Sequence, residues 1–219
     1  MQIETSFGPA SAELDRPARR ARPRFLMALT HGAGGGADSA DLLAARDAAV
    51  AAGGVVARIL QPYRVRGARA PGSAERQDAA WLEIIAALRG QFPRRPLITG
   101  GRSNGARLAC RTAGAAGARG VLALAFPLHP PGRPERSRAD ELRAAGGASV
   151  LVINGSRDPF GIPDPADAGK VVIAPGQAHA LGGCADLITA ETGAWLREVL
   201  REELVTSGRA AGPPRIRAN

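Results

Sequence analysis

Cysteine is scarce in this sequence, since only Cys110 and Cys184 occur among 219 residues. Two thiols are too few for the disulfide framework of a small secreted domain, so we expect both to be reduced and the protein to be cytoplasmic. Aromatic residues are also few, at 4%, whereas apolar residues together make up 45%. This balance favours one globular domain with a core of Ala, Leu, Val and Ile.

Long hydrophobic runs are lacking as well. No stretch approaches the roughly 18 apolar residues that a membrane-spanning helix needs, so we expect no membrane association. The segment Met1–Leu14 has no basic start followed by an apolar block, so it does not predict a secretory signal.

Lysine is nearly absent, with Lys170 the only one among 29 basic residues. The net charge of +9 and the pI near 11.2 are typical of proteins that bind nucleic acid. The arginines are scattered along the chain, however, and the densest groups fall in predicted loops and termini, such as Arg16–Arg24. A solvated basic surface is therefore the favoured interpretation, and we do not expect nucleic acid as a partner.

Short apolar runs alternate along the chain with segments of helical periodicity. Phe25–Thr30 is typical of a strand buried on both faces, and Glu75–Gly90 has the spacing of an amphipathic helix. The repeated alternation predicts an α/β fold with a mainly parallel sheet and helices on both faces. The other predicted strands are 55–60, 97–99, 121–126, 150–153 and 171–174, and the other predicted helices are 104–116, 139–145 and 186–204. A further helix is predicted between a cap at Asp38 or Ser39 and its end at Gly53-Gly54.

The sequence divides into three parts around this alternation. Residues 1–24 predict an edge strand or hairpin followed by a basic loop, and residues 25–205 predict the α/β domain. Residues 206–219 are rich in Gly, Pro and Arg without an apolar pattern, which predicts a disordered tail. Within the domain, Pro62–Ser73 is expected to be a loop.

The segment Pro96–Arg107 contains G-x-S-x-G between a predicted strand and a predicted helix. The pattern at this position is typical of a nucleophile elbow, a sharp turn that exposes the hydroxyl of its serine. Gly101 and Gly105 suit such a turn because a β-carbon at either position would crowd the strand and the helix. A bare G-x-S-x-G also occurs by chance, so the flanking elements are what make Ser103 a candidate nucleophile.

A serine nucleophile needs a base, and the sequence has only three histidines. His31 precedes Ser103 in a glycine-rich turn, and His129 lies beside two prolines. His179 lies between the last predicted strand and the last predicted helix, and it alone fits the order Ser, acid, His of the α/β hydrolases. His179 is therefore the candidate base.

The candidate acid is Asp158, the carboxylate that follows the predicted strand 150–153. Asp164 and Asp167 come a few residues later and are the alternatives. An Asp before a proline is also typical of a turn, so a purely structural role beside Pro159 is the other interpretation. The position of Asp158 between the candidate serine and the candidate histidine favours the catalytic role.

The glycine-rich turn His31–Gly36 follows the first buried strand. In α/β hydrolases, one backbone N–H of such a turn and the N–H of the residue after the nucleophile bind the oxyanion of the intermediate. Ala33 and Asn104 are the candidate donors. A phosphate-binding loop is the alternative, but the turn lacks both the G-x-x-x-x-G-K-[ST] pattern and a spaced acidic residue for ribose.

The chain resembles the small dienelactone-hydrolase-like α/β hydrolases, most closely the branch that includes a testis-expressed protein and a chromatin-complex subunit. The resemblance covers residues 25–203 and implies an α/β-hydrolase fold with the candidate serine, aspartate and histidine as the triad. Some members of that family are thought to act as scaffolds, so a non-catalytic interaction module is the alternative function. The segments that carry the resemblance are Leu29–Gly35, Gly100–Arg107, Phe126–Gly132 and Gly155–Gly161.

The chain departs from the usual pattern of that branch at three places. Asn104 stands where the branch has Met, and Ala106 stands where it has Gly. Ala178–Leu181 replaces an Asp-His pair followed by an aromatic residue. These changes leave the triad intact and alter the wall of the pocket.

The sequence therefore predicts a serine hydrolase without cofactor or metal, acting on a small carboxylic ester, thioester or lactone. The expected partner is a small acyl substrate, and the short connection after the strand 121–126 leaves no room for a large lid. Arg64 and Arg66 are expected near the rim of the cleft, where they either attract an acidic group or are simply solvated. The candidate pocket residues are His31, Tyr63, Arg102, His129 and Phe160.

Overall fold

Eight strands form one sheet in the computed structural model, which describes residues 1–17 and 22–209. In chain order, the strands are β1 Gln2–Ile3, β2 Ala10–Asp15, β3 Leu26–Thr30, β4 Val55–Leu60, β5 Leu97–Arg102, β6 Gly120–Leu124, β7 Ser149–Gly155 and β8 Lys170–Ala174. The helices are α1 Ala40–Ala51, α2 Pro62–Val65, α3 Ala74–Gln91, α4 Asn104–Ala116, α5 Ala139–Arg143 and α6 Ala185–Arg209, with a short 3-10 helix at Pro165–Asp167.

The strand order is β1-β2-β4-β3-β5-β6-β7-β8. β1 and β2 form an antiparallel edge, and every pair from β4 to β8 is parallel. Thr30 pairs with Gly101, and Leu124 pairs with both Arg102 and Ile153. The carboxyl ends of β3, β5, β6 and β7 therefore lie along one edge of the sheet, where open parallel sheets bind their ligands.

β3 explains why helices cover both faces of this sheet. Its five residues are all buried, and successive side chains point to opposite faces. Met27 and Leu29 belong to one core with Trp195 of α6, whereas Leu26 belongs to another core with Trp81 of α3. The predicted architecture, a mainly parallel sheet between two layers of helices, is confirmed.

The segment Pro62–Ser73, predicted as a loop, begins with the helical turn α2. Pro62 stands at the start of the helix, where its fixed φ suits the first turn and its missing N–H would have had no partner. The turn ends at Arg66, and Gly67 with a φ of 81° then redirects the chain. The prediction of a loop is thus wrong for the first four residues of the segment.

Helix α6 runs to Arg209, beyond the predicted end at Leu204. The sequence offers no strong helix breaker until Pro213, since a single glycine in a helix costs only about 1 kcal/mol. The predicted tail 206–219 therefore starts inside the helix, and residues 210–219 lie outside the described part of the chain. Neither α6 nor any other helix in the described ranges is long and apolar enough to cross a membrane.

The carboxyl edge of the sheet is left open by the connections around it. Residues 125–138, between β6 and α5, contain turns and no helix, and α5 itself has only five residues. The described residues thus place no helical lid at this edge, which agrees with the prediction of an α/β-hydrolase fold without a large lid.

Candidate active site

Ser103 lies on a strained turn between β5 and α4. Its φ of 53° and ψ of −111° fall in a region that residues other than glycine rarely adopt. A β-carbon at Gly101 or at Gly105 would lie 2.6 Å from the carbonyl oxygen of Thr30, so neither position tolerates a side chain without movement of the backbone. The turn therefore has the geometry of a nucleophile elbow, with the serine at its tip.

Two hydrogen bonds connect Ser103 to His179 and His179 to Asp158. His179 Nε2 lies 2.9 Å from Ser103 Oγ, and His179 Nδ1 lies 2.8 Å from Asp158 Oδ2. The Asp158 side chain is fully buried and can only accept while ionised, so Nδ1–H donates to it and Nε2 is left to accept the serine hydroxyl. The structure thus brings together the three residues that the sequence predicts as a triad.

The carboxylate of Asp158 is oriented by its own loop. Phe160 N–H donates to Asp158 Oδ1 at 2.9 Å, and Asn154 Nδ2 lies 3.5 Å from Oδ2. Asn154 is fully buried and holds Phe126 by two hydrogen bonds, which ties the end of β7 to the end of β6. Sequence reasoning missed Asn154, although a polar residue directly after the apolar run 150–153 is a recognisable signal.

The two alternative acids are occupied elsewhere. Asp164 accepts a hydrogen bond from the backbone N–H of Ala166 and caps the 3-10 helix. Asp167 forms an ion pair with Arg143 at 2.7 Å. Asp158 is therefore the carboxylate of this group that contacts the candidate base.

His179 is held on two further sides. The ring of Phe160 meets the imidazole edge to face, with the centroids 4.4 Å apart. Arg102 Nη2 donates to the carbonyl oxygen of His179 at 3.0 Å, and Arg102 Nε lies 2.8 Å from Asp41 Oδ2. That N–H does not point at the oxygen, so the contact is an ion pair rather than a hydrogen bond. Asp41, which sequence reasoning missed, is buried, and its other oxygen accepts from Ser39 and from the N–H of Leu42.

Ala33 and Asn104, the candidate oxyanion donors, both line a cleft of about 580 Å³ that contains Ser103. Among the described residues, no acceptor takes a hydrogen bond from the backbone N–H of either one. Two free N–H groups beside the serine hydroxyl are what an oxyanion hole requires.

His31 and Tyr63 support the oxyanion turn from behind and do not line the cleft, which corrects their prediction as pocket residues. His31 is fully buried, donates from Nδ1 to Gly32 O at 2.7 Å and accepts the N–H of Gln61 at Nε2. Burial lowers the pKa of His31. Burial also raises the pKa of Tyr63 to about 12, so its hydroxyl stays protonated and donates to Ala33 O.

His129 is the third predicted pocket residue that lies outside the cleft. Its Nδ1–H donates to Pro130 O at 2.9 Å, and its ring packs against Gly161, so it supports the loop of Asp158. Arg102 and Phe160, the other predicted pocket residues, do line the cleft.

The side chain of Asn104 faces away from the serine. Its Nδ2 donates to Gln77 Oε1 at 2.7 Å, and Gln77 Nε2 donates to the carbonyl oxygens of Gly72 and Ser73. Pro71, which lines the cleft, lies on the same loop. The side chain of Asn104 therefore links the elbow to the segment before α3 through Gln77.

No group of three or more His, Cys, Asp or Glu side chains among the described residues is arranged to hold a metal ion. The chemistry available in the cleft is that of a nucleophile, a base, an oriented acid and two N–H donors.

Residues 23–174, more than half of the chain, match the sequence profile of a family described as an alpha/beta hydrolase domain. No curated protein matches the chain in sequence.

Several solved structures share the fold. An α/β serine hydrolase without a lid from Xanthomonas campestris is 18% identical, with a TM-score of 0.70 over 90% of this chain and 93% of that one. Est1E from Butyrivibrio proteoclasticus, solved with ferulic acid, is 16% identical, with a TM-score of 0.71 over 92% and 99%. A dienelactone hydrolase from Anabaena variabilis is 15% identical, with a TM-score of 0.69 over 90% and 95%. Identities of 15–18% establish a shared fold and do not establish a shared activity.

Proposed function

The chain belongs to the family of alpha/beta hydrolase domains, and on that premise we propose that it is a serine hydrolase acting on a small carboxylic ester, thioester or lactone. The observation that carries this proposal is the line of hydrogen bonds from Ser103 through His179 to the buried Asp158. That arrangement lets the imidazole take the serine proton while the carboxylate stabilises the resulting cation.

The reaction follows from these contacts. Ser103 Oγ bonds to the carbonyl carbon as its proton passes to His179 Nε2, and the negative carbonyl oxygen is bound by the N–H groups of Ala33 and Asn104. The leaving group departs with the proton from His179, which leaves an acyl-enzyme on Ser103. Water then attacks the acyl carbon, gives its proton to His179, and releases the acid as Ser103 recovers its hydrogen.

The size and openness of the cleft favour a small substrate. Its volume is about 580 Å³, within the range of about 300–1,000 Å³ of small-molecule sites. No helix of the described residues covers it, so a long lipid chain would remain in water. Among the solved structures named above, one is a dienelactone hydrolase, a name that fits this substrate class.

The narrower resemblance, to the branch that includes a testis-expressed protein and a chromatin-complex subunit, stays a prediction from the four quoted segments. The same holds for the cytoplasmic location, which is predicted from the low cysteine content. Both thiols are free in the structure.

Labelling with a fluorophosphonate probe tests the proposed function directly. We expect the wild type to be labelled and Ser103→Ala and His179→Gln to be unlabelled, while Ser11→Ala, an exposed serine on β2, is labelled like the wild type. The corresponding kcat on 4-nitrophenyl acetate should fall by about 10⁴ to 10⁶ in the two triad variants. A folded wild type that labels no better than Ser103→Ala would instead support the non-catalytic interaction module.

A further inference from the structure

Among the described residues, three arginines and no carboxylate line the cleft around Ser103. Arg102, Arg107 and Arg138 all contribute to its wall, whereas the acid Asp158 lies behind His179 and does not reach it. A concave site with charge of one sign attracts ligands of the opposite sign. Which of the three charges is available to a ligand depends on the partners that each arginine already has.

Two of the three guanidinium groups are neutralised by carboxylates of the protein. Arg102 is paired with the buried Asp41, as described above. Arg107 binds Glu141 with both ends of its fork, at 2.7 Å through Nε and 2.5 Å through Nη2. Arg111 shares Glu141 and also pairs with Asp78, so the charges of this cluster balance without a ligand.

Arg138 is the arginine of the cleft that lacks such a partner. Its side chain is half-buried, and its hydrogen bond is a long one, 3.4 Å from Nη1 to the carbonyl oxygen of Pro127. No carboxylate of the described residues lies within ion-pair distance of it. Burial and the charges of Arg107, Arg136 and Arg111 lower the pKa of Arg138, whereas the charge of Glu141, which is not within ion-pair distance, acts in the opposite direction.

The position of Arg138 is fixed although its charge is unpaired. Its backbone N–H donates to Leu128 O at 2.7 Å, and it directly precedes α5, which Arg107 ties to α4 through Glu141. An arginine whose backbone is held in place and whose half-buried side chain has no ion-pair partner can bind an anion without a rearrangement of its loop.

We propose that Arg138 binds a carboxylate on the substrate, so that the preferred substrates are esters or thioesters whose acyl part ends in a second, ionised carboxyl group. The inference rests on the proposed hydrolase function for its catalytic readout. A carboxylate fits the planar fork of a guanidinium with two parallel hydrogen bonds, and the charge of Arg138 is then compensated as those of Arg102 and Arg107 already are.

A pair of esters of equal shape separates charge recognition from chain length. We use 4-nitrophenyl hydrogen glutarate and 4-nitrophenyl 5-methylhexanoate, in which a branched alkyl end replaces the carboxylate. The measured quantity is the ratio of kcat/KM for the charged ester to that for the neutral ester. We expect this ratio to fall by about 10- to 100-fold in Arg138→Gln, through KM, because the lost contact is a charge-assisted hydrogen bond made before and during the reaction.

Two variants make the result specific. Arg138→Lys keeps the charge without the fork and should retain an intermediate ratio, and Arg136→Gln removes an exposed arginine of the same loop and should keep the wild-type ratio. Thermal unfolding of each variant checks that the fold is retained. A ratio in Arg138→Gln equal to that of the wild type would overturn the inference and leave the hydrolase function standing.

A binding measurement keeps the inference testable even without turnover. Calorimetry with Ser103→Ala should detect glutarate, and Ser103→Ala combined with Arg138→Gln should bind it at least tenfold more weakly. If the wild type shows no esterase activity but glutarate binding to the Ser103→Ala protein depends on Arg138, the proposed function is contradicted and the anion site is supported. Equal binding by both proteins would count against the anion site.

Discussion

Arg102, the residue before the proposed nucleophile, donates from Nη2 to the carbonyl oxygen of His179 at 3.0 Å. The same guanidinium faces Asp41 at the start of α1 and lies over Gly32, whose β-carbon, if it had one, would be 3.1 Å from Nη1. One side chain therefore joins the elbow, the loop of the proposed base and the oxyanion turn. These three segments come from distant parts of the chain, and Arg102 holds them in register.

We expect Arg102→Met to lower kcat by about 10- to 100-fold on a small neutral ester, with a much smaller change in KM. The reason is that the imidazole and the oxyanion turn lose a common support, and a displacement of about 1 Å in a catalytic group costs roughly that much. Asp41→Asn should lower kcat in the same direction, because the amide keeps the bond from Leu42 but attracts the guanidinium less. Arg133→Gln, an exposed arginine, is the matched control and should leave kcat unchanged.

Asp158→Asn should abolish nearly all turnover without unfolding the protein. The amide can still accept the N–H of Phe160, but an NH₂ group facing His179 Nδ1 favours the tautomer with its proton on Nε2, which cannot take the serine proton. We expect kcat to fall by about 10⁴, the loss associated with this change in the Ser-His-Asp mechanism.

Asp164→Asn is the control for that substitution. It changes a carboxylate that only caps the 3-10 helix, so kcat should stay within about twofold of the wild type. If the two variants lost activity equally, Asp158 would not be the acid that orients the base.

Much of the candidate site was predictable because its signals are local. The elbow is five consecutive residues between a strand and a helix, and Asp158 comes directly after a strand end. His179 could be identified as the candidate base by elimination. The sequence has only three histidines, and the order serine, acid, histidine along the chain excludes the other two. The apolar run of β3 likewise predicts burial on both faces, which fixes the two helical layers.

The supporting contacts were not predictable because their partners are far apart in sequence. Gln77 meets Asn104, and Asp41 meets Arg102, only because α3 and α1 pack on the two faces of β5 and its neighbours. The direction in which a side chain points at the end of a strand also depends on tertiary contacts. His31 follows β3 as a cleft residue would, yet it turns back to Gln61.

Gly105→Ala should destabilise the protein by about 1–3 kcal/mol because the new β-carbon would lie 2.6 Å from one backbone oxygen and 2.7 Å from another. Gly114→Ala on the same helix meets nothing within 4 Å and should stabilise the protein by about 0.5–1 kcal/mol. Urea unfolding measures both changes in the free energy of unfolding. Similar values for the two variants would mean that the strand and the helix do not approach each other as closely as the elbow requires.

His31 should make the protein less stable as the pH falls below its ordinary pKa of 6.5. Burial lowers the pKa of His31 in the folded state, so the unfolded chain takes up its proton first and the free energy of unfolding decreases with decreasing pH in that range. Protonation of Nε2 would also remove the acceptor of the hydrogen bond from the N–H of Gln61.

His31→Gln should flatten the dependence of the free energy of unfolding on pH between about pH 7 and pH 5.5. His129→Gln, which replaces a half-buried histidine, should preserve that dependence. Urea unfolding at a series of pH values measures the slope, and equal slopes in the wild type and in His31→Gln would contradict the buried neutral state of His31.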